Sequence, residues 1–397
     1  MKIVVTVHTY WPARNGVQYV TQYLCEGLAA KGHDVTVITV VPNPEETSRE
    51  EHNGVHIIRA YLKTMHSFFN YGEKEYVRLV KEETKSADAL INCCVQAPNN
   101  NVLLPVLREI NAFKLLYMHG MHEFKLPEGV SVDTKYKLWH AFMNVRWRTF
   151  YSVNKKNFSQ YDAIVDIHET SPGLAFMRSL GVDANQYIIT NAVEDFSTVT
   201  VSQNDIKTYP VLGEKFFLDV ANFNDRKNQM MLVEAFRGVS DNKGAKLVLI
   251  GGNSNYCDSL KSKVSEYGLN ERILVFENQD REITKKFIRN CLCGVMSSRF
   301  EVYPIFLCEV ISCDHPYIST DVGCVKDIPG GDIARSTEEF SRLMQIMLED
   351  EVHRTELSEK GLSFAIDHLS QQAKIDQLER ILIVRDLPRC QSDDGIH

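Results

Sequence analysis

The chain has 397 residues, and its 44 Lys and Arg against 52 Asp and Glu give a net charge of −8. One hydrophobic core rarely extends over so many residues, so the length predicts two domains of about two hundred residues each. The acidic balance lacks the basic excess that nucleic-acid-binding domains usually show, and no nucleic-acid partner is expected.

The cysteines and the N-terminus indicate a cellular compartment. None of the ten cysteines forms a C-x-x-C pair, and several of them, such as Cys93 and Cys308, lie in apolar runs, as reduced core thiols would. The opening MKIVVTVHTYW is typical of a strand rather than of a signal peptide, and no apolar run approaches the ~18 residues that span a bilayer. We therefore expect a cytoplasmic protein, either soluble or peripheral on the inner face of the membrane.

The first half alternates β-branched runs with helical periods, which predicts an α/β domain with a doubly wound parallel sheet over residues 1–195. Strands are predicted at 3–7, 35–39, 55–59, 89–92, 114–118, 163–166 and 187–190. Helices are predicted at 17–31, 73–85, 102–111, 134–157 and 172–180.

Two strand ends of this half carry candidate ligand-binding residues. Gly16 ends the loop after the first strand and would let the backbone approach a phosphate or sugar, although a single glycine there is more often only a turn. His119 follows the fifth strand, at the carboxyl edge where open α/β sheets bind ligands. It could equally be a hydrogen-bonded polar residue, and with His122 alone it lacks the further ligands of a metal site.

The predicted helix around residues 135–158 interleaves Lys and Arg with Trp, Phe and Tyr. A basic aromatic helix can lie on an anionic membrane, which makes a peripheral membrane contact one interpretation. The other is an ordinary amphipathic helix whose aromatic residues fill the core of the first domain.

After Ala192 the pattern becomes polar, and we predict a linker at 196–212. A second alternating series then predicts a domain at 213–369, with strands at 216–220, 246–250, 273–276 and 293–296 and helices at 337–349 and 371–384. The polar end, 389–397, is predicted to be disordered.

The stretch 294–327 predicts a strand, a loop, a helix opened by Pro304, a second strand and a glycine loop. Glu309 is the single acid on this apolar helix, and Glu301 lies in the loop before it, close to free N–H groups that favour phosphate. Because carboxylates accept strong hydrogen bonds from hydroxyls, the pair suits a nucleotide sugar. The spacing is equally consistent with a solvated Glu301 and a Glu309 paired with an unidentified Arg or Lys.

The segment from Glu301 to Glu309 resembles the motif of two glutamates, seven residues apart, in the GT4 family of retaining glycosyltransferases. The flanking residues follow in that family's order: Ser297-Ser298, Pro316 and the run Thr320-Asp321-Val322-Gly323. The resemblance implies the GT-B fold, two Rossmann-like domains facing across a cleft, with a last helix that crosses back to the first domain at 370–388. It implies that Glu301 contacts the donor sugar and Glu309 the ribose. Further donor-site residues would be Tyr303, Pro304, Ile305, Gly323 and Gly16, and His119 matches a strand-end His near the sugar.

The stretch from Val220 to Lys227 resembles the family's diphosphate-binding segment, whose Arg and Lys neutralise the phosphates. Lys227 is retained, whereas Asn222 occupies the Arg position. Arg226 supplies the missing cation only if its side chain points to the ligand; otherwise Arg226 and Lys227 are a solvated pair. Other departures, Ala192, Val302, Asp314 and Cys324, bear on donor choice.

The resemblance implies a retaining glycosyltransferase that moves a sugar from a nucleotide-diphosphate sugar to a glycan, glycolipid or other hydroxyl acceptor, in cell-surface polysaccharide biosynthesis. Glu301, His119 and Lys227 would be catalytic. The sequence has no D-x-D motif, so neither a metal nor another cofactor is expected. Two alternatives stay open: a catalytically silent partner subunit, and a nucleotide-sugar epimerase or hydrolase on the same fold.

Overall fold

The computed structural model describes residues 1–12, 16–65, 69–121, 124, 134–169, 171–240, 244–252 and 254–384. The chain forms two compact units. The N-terminal unit comprises Met1–Asn191 and the segment that begins at Gln371, and the C-terminal unit comprises Ala192–Ser370. None of the described helices is long and apolar enough to cross a membrane.

The N-terminal unit is built on an eight-stranded sheet with the strand order β10-β9-β8-β7-β1-β2-β4-β3. Its strands are β1 (Lys2–Val7), β2 (Asp34–Val41), β3 (Ser48–His52), β4 (Val55–Tyr61), β7 (Ala89–Cys93), β8 (Phe113–Tyr117), β9 (Ala163–Asp166) and β10 (Asn185–Ile188), and β5 (Lys63–Met65) pairs with β6 (Phe69–Tyr71) apart from it. Every pair in the large sheet is parallel except β3 with β4. β3, a polar and largely exposed edge strand without an apolar signal, was not predicted.

The helices of this unit are α1 (Gly16–Ala30), α2 (Glu73–Thr84), α3 (Pro98–Asn101), α4 (Thr134–Phe158), α5 (Pro172–Ser179) and, from the end of the chain, α13 (Gln371–Val384). The α-helix predicted at 102–111 does not form, and the structure has a 3₁₀ helix at Leu104–Glu109 instead. Pro105 explains the difference, since it cannot donate the backbone hydrogen bond that a longer helix needs. α13 packs against α1, where Lys31 pairs with Asp376 at 2.8 Å and with Glu379.

The C-terminal unit has a six-stranded parallel sheet with the order β13-β12-β11-β14-β15-β16. The strands are β11 (Phe216–Val220), β12 (Lys246–Gly251), β13 (Ile273–Glu277), β14 (Cys293–Met296), β15 (Tyr317–Thr320) and β16 (Gly331–Ala334). The helices are α6 (Gln203–Thr208), α7 (Gln229–Arg237), α8 (Asn255–Glu266), α9 (Arg281–Asn290), α10 (Ile305–Ser312), α11 (Thr337–Glu349) and α12 (Glu351–His368).

The order of this sheet reverses between β11 and β14. From β11 the chain runs outward to β12 and β13, and it then returns to β14 on the other side of β11. The loops that follow β11 and β14 therefore leave neighbouring strands in opposite directions. Such a switch point, at the carboxyl ends of parallel strands, is where open α/β sheets bind ligands.

The predicted linker at 196–212 folds as part of the C-terminal unit. Phe196, Val211 and Leu212 are buried, and α6 begins with a capping box formed by Ser202 and Asp205. Lys286 Nζ donates to Asp205 at 2.7 Å, which ties α6 to α9. Tyr209 also packs against Phe276 and Phe287, yet polar residues dominate the segment, so its composition alone is typical of a linker.

Candidate active site

Two loops at the switch point, 221–228 after β11 and 297–304 after β14, are joined by hydrogen bonds. Ser297 Oγ donates to the Asn228 carbonyl at 2.9 Å and to the Lys227 carbonyl at 3.2 Å, and the Arg299 N–H donates to the Arg226 carbonyl at 2.8 Å. Asn228 has a φ of 55°, a conformation that Asn tolerates and that turns the chain into α7. Side chains on these two loops are thus held at fixed positions.

Lys227 and Glu301, one from each loop, form an ion pair. Glu301 is 8% exposed, and its Oε1 also accepts from Ser298 Oγ at 2.7 Å. Both bonds use Oε1, so the second carboxylate oxygen can accept from a ligand hydroxyl. Glu301 is therefore not the solvated loop acid of the alternative interpretation, and the structure brings two of the predicted site residues into contact.

Asp219, in β11, is a third charged residue of this region, and sequence reasoning missed it. It is 2% exposed, and its Oδ2 has no hydrogen-bond partner among the described residues. Burial raises the pKa of Asp219 to about 7; the charge of Lys227 and a hydrogen bond from Gln229 oppose the rise, and Glu301 adds to it. The signal that could have found it is a single acid within the apolar run FFLDV.

Glu309 lies on α10 and pairs with Arg281, the first residue of α9. The carboxylate is 4% exposed, and burial raises its pKa while Arg281 lowers it. The alternative in which Glu309 has a basic partner thus describes this pair correctly, whereas Arg281 itself was not predicted. Glu301 and Glu309 interact with different cations.

The glycine loop after β15 packs against the backbone of Glu301. Gly323 has a φ of +57°, and a Cβ atom there would lie 2.3 Å from the Glu301 carbonyl oxygen, closer than any side chain can approach. Thr320 Oγ1 donates to the Ser298 carbonyl at 2.6 Å, and the Cys324 N–H to the Val302 carbonyl at 3.3 Å. A third loop therefore supports the position of Glu301.

The N-terminus of α10 has backbone N–H groups that no side chain caps. Pro304 is the N-cap, with φ −78° and ψ 104°, so the helix begins at Ile305 rather than at the predicted Pro304. Within the described residues of this unit, α8, α9, α11 and α12 are capped by Ser254, Asp280, Ser336 and Asp350, whereas α7 and α10 have no side-chain cap. Those two helices follow the two switch-point loops. Tyr303 and Pro304 are buried, and Ile305 is half-buried.

Arg226, also predicted to bind the donor, interacts with Phe300. Its Nε donates to the Phe300 carbonyl at 3.3 Å, and its guanidinium lies 4.5 Å from the centroid of the Phe300 ring. Asn222 is exposed, and its carbonyl accepts from Gln229 Nε2 at 3.4 Å. These contacts leave Lys227, not Arg226, next to the glutamate of the motif.

Two predicted residues belong to the N-terminal unit. Gly16 is the first residue of α1, and residues 13–15 before it lie outside the described ranges. His119 stacks on Tyr117 with ring centroids 4.8 Å apart, and burial lowers its pKa to about 4, so the imidazole is neutral at physiological pH. His122 lies outside the described residues, and the described ones include no group of three or more possible metal ligands.

Solved structures of the same fold cover nearly all of the chain. Sucrose-phosphate synthase from Thermosynechococcus elongatus matches with a TM-score of 0.73 over 97% of this chain and 100% of that one, at 18% identity. HepE from Anabaena, in complex with UDP and glucose, matches with a TM-score of 0.70 over 96% and 99%, at 12% identity. The fold is GT-B. The predicted fold class, with two Rossmann-like units, is thereby confirmed.

Sequence comparisons agree with the GT-B assignment. Residues 202–364, most of the C-terminal unit, match the family model of glycosyl transferases group 1. N-acetyl-alpha-D-glucosaminyl L-malate synthase of Bacillus anthracis is 25% identical over 43% of this chain and 45% of its own length. Alpha-1,3/1,6-mannosyltransferase ALG2 of Dictyostelium discoideum is 23% identical over 51% and 53%. The chain thus spans about half the length of the curated relatives it matches.

Proposed function

We propose that this protein is a glycosyltransferase that takes its sugar from a nucleotide-diphosphate sugar. The observation that carries the proposal is the contact between Lys227 and Glu301 at the switch point of the C-terminal sheet. The match to group 1 glycosyl transferases over the same unit supports it, and so does the shared fold with a protein whose structure contains UDP and glucose. A cation and a buried carboxylate side by side suit the two ends of such a donor, the phosphates and the sugar.

The proposed donor site assigns one group to each part of the ligand. The Lys227 ammonium, which has three N–H donors, and the uncapped N–H groups of α10 would bind the diphosphate. Glu301 would accept from a sugar hydroxyl, and Glu309 from the ribose, each with the carboxylate oxygen that its basic partner leaves available. The backbone around Asn222 and the glycine loop at Gly323 would complete the surface.

The proposed reaction is a transfer with retention. The bond between the anomeric carbon and the phosphate oxygen breaks, the nucleoside diphosphate leaves with the electron pair, and an acceptor hydroxyl attacks the same face and gives its proton to the leaving diphosphate. Lys227 stabilises the charge that develops on the leaving phosphate, so the chemical step would need no metal. We further propose a glycan or glycolipid acceptor bound by the N-terminal unit, a catalytic role for the neutral imidazole of His119, and a cytoplasmic task in cell-surface polysaccharide synthesis.

The experiment that tests this proposal is product analysis with a panel of nucleotide sugars, with and without glycan and glycolipid acceptors. A glycosyltransferase forms a new glycoside with the anomeric configuration of the donor, and only when an acceptor is present. Release of free sugar or a changed sugar without acceptor would instead indicate a hydrolase or epimerase, and no turnover with any donor would favour the silent subunit. Repeating the assay with excess EDTA tests the metal: activity that disappears and returns with manganese would contradict our account of charge stabilisation.

A further inference from the structure

Helix α4 has apolar residues on two opposite faces. One face is buried in the core of the N-terminal unit and includes Trp147, Tyr151 and Phe158. The opposite face carries Leu138, Phe142, Val145 and Val153, which are 68%, 56%, 66% and 75% exposed, with Trp139 beside them at 52%. At 3.6 residues per turn these positions share one stripe along the helix axis. An ordinary amphipathic helix accounts for the first face but not for the second.

The charges of α4 are of one sign. The helix contains six Lys and Arg and no Asp or Glu, in a chain whose net charge is −8. These residues are Lys135, Lys137, Arg146, Arg148, Lys155 and Lys156. By helical spacing, Lys137, Arg148 and Lys155 lie along one side of the apolar stripe, Arg146 lies along the other, and Lys135 and Lys156 lie near its two ends. The exposed face therefore combines an apolar centre with a basic border.

Exposed apolar residues elsewhere do not show this combination. Of the eleven large apolar residues that are exposed in the described part of the chain, five lie on α4. α12 carries two of the others, Val352 and Ile366, but its sequence includes four acidic residues. The apolar face of α4 is thus set apart by its size and by its charge.

We propose that this face of α4, from Lys135 to Lys156, binds the surface of an anionic lipid membrane, with the helix parallel to that surface. The apolar stripe would enter the boundary between headgroups and acyl chains, Trp139 would lie at the polar level, and the Lys and Arg side chains would extend their charged ends to the lipid phosphates. Each basic residue near such a surface adds electrostatic attraction. This inference is independent of the sugar transfer proposed above, because lipid binding is measured without any donor.

The test is flotation of the full-length protein with vesicles of phosphatidylcholine alone or mixed with phosphatidylglycerol. We expect binding to the mixed vesicles only, and its loss at high salt, because surface charges are then screened. The double variant Phe142→Ser, Val145→Ser should lower the partition coefficient by about tenfold or more, since it removes apolar area from the bound helix. Lys155→Glu with Lys156→Glu should do the same at low salt.

The matched control is Val352→Ser with Ile366→Ser, which removes equally exposed apolar side chains from α12. It should bind vesicles as the unchanged protein does, and all variants should unfold at closely similar temperatures. The proposal is overturned if the unchanged protein binds neither vesicle, or if the α4 and α12 variants lose binding equally. It is also overturned if sedimentation reveals a dimer that the Phe142→Ser, Val145→Ser variant abolishes while vesicle binding persists, because the face would then belong to a second copy.

Discussion

The ammonium group of Lys227 interacts with two carboxyl groups, with Glu301 through a direct ion pair and with the buried Asp219 through its charge. Asn222 supplies no positive charge, and Arg226 interacts with Phe300. Of the cations on the two switch-point loops, Lys227 is therefore the one that lies next to Glu301. A diphosphate bound at these loops would depend on this one side chain for a positive charge.

Replacing this lysine tests that dependence. Lys227→Ala should lower kcat for transfer by roughly 10²-fold or more, as for the loss of one preorganised electrostatic donor, with a smaller change in the donor KM. Arg226→Ala is the matched control, because Arg226 is the next residue in the chain and its side chain contacts Phe300. Steady-state kinetics that leave both variants active would place the diphosphate elsewhere, and a large effect of Arg226→Ala would mean that its side chain turns to the ligand.

The raised pKa of Asp219 predicts that the free energy of unfolding falls as pH rises. Its pKa is raised from 3.8 to about 7 in the folded protein, so between these values the unfolded chain releases the proton while the folded protein keeps it. Folding is thus penalised progressively through this window, and fully above it, by on the order of a few kcal/mol. Asp219→Asn removes the titration, so its free energy of unfolding should exceed that of the unchanged protein increasingly as pH rises through the window.

Denaturant unfolding of the two proteins at pH values across the window is the measurement. The exposed Asp321→Asn is the control for the substitution itself. A pH-independent difference for Asp219→Asn would mean that Asp219 is ionised in the folded state.

Sequence reasoning singled out the two glutamates, Lys227 and the glycine of the loop because they resemble a family's motifs in spacing and order. It could not find the partners that contact them. Arg281 comes from another helix, twenty-eight positions before Glu309, and Ser298 was noted only for its order. The pairing of Arg281 with Glu309 depends on how the fold brings α9 and α10 together, and nothing local in the chain encodes it.

At the scale of elements, the glycine loop after β15 determines where the loop of Glu301 can lie. Gly323→Ala would place a methyl group against the Glu301 carbonyl and displace that loop, in addition to the strain of a positive φ. Gly268→Ala is the matched control, since Gly268 has a φ of +65° but nothing within 4 Å of the added atom. We expect the control to cost on the order of 1 kcal/mol of stability and no activity, and Gly323→Ala to cost more stability and most of the activity.

Thermal unfolding and transfer assays on both alanine variants make the comparison. If Gly323→Ala behaves as Gly268→Ala does, the close packing of the two loops has no bearing on the site.

Several elements have the bounds that the sequence patterns predicted. The strands 216–220, 293–296 and 163–166 and the helices 337–349 and 371–384 match the structure residue for residue. The helices α7, α8, α9 and α12 and the strand β16 were not predicted. Nor were β3 and α6, which polar residues dominate and which a pairing or capping contact, not apolar burial, holds in place. The apolar residues at 102–111 suggested a regular α-helix, but Pro105 prevents one from forming there.

For the whole molecule, the C-terminal unit is one uninterrupted segment, Ala192–Ser370, whereas the N-terminal unit is assembled from two. We expect residues 192–370 expressed alone to fold and to bind a nucleoside diphosphate, because Lys227, Glu301, Glu309 and Arg281 all lie within them. A shift of the melting temperature with UDP, compared with the same fragment carrying Lys227→Ala, is the measurement. A folded fragment that shows no shift with any nucleoside diphosphate would mean that this unit does not contain the whole nucleotide site.

The two ends of that unit lie side by side, since the Val193 N–H donates to the Leu369 carbonyl at 3.1 Å and Val193 forms a parallel bridge with Ser370. A segment whose ends meet can be removed or exchanged as a cassette without stretching the chain on either side. Chimaeras with cuts at residues 192 and 370 could therefore receive the corresponding segment of a relative that uses another donor, while Asn191 and Gln371 keep their places. Insertion of this kind separates the choice of donor from the choice of acceptor, so that one can change without rebuilding the other.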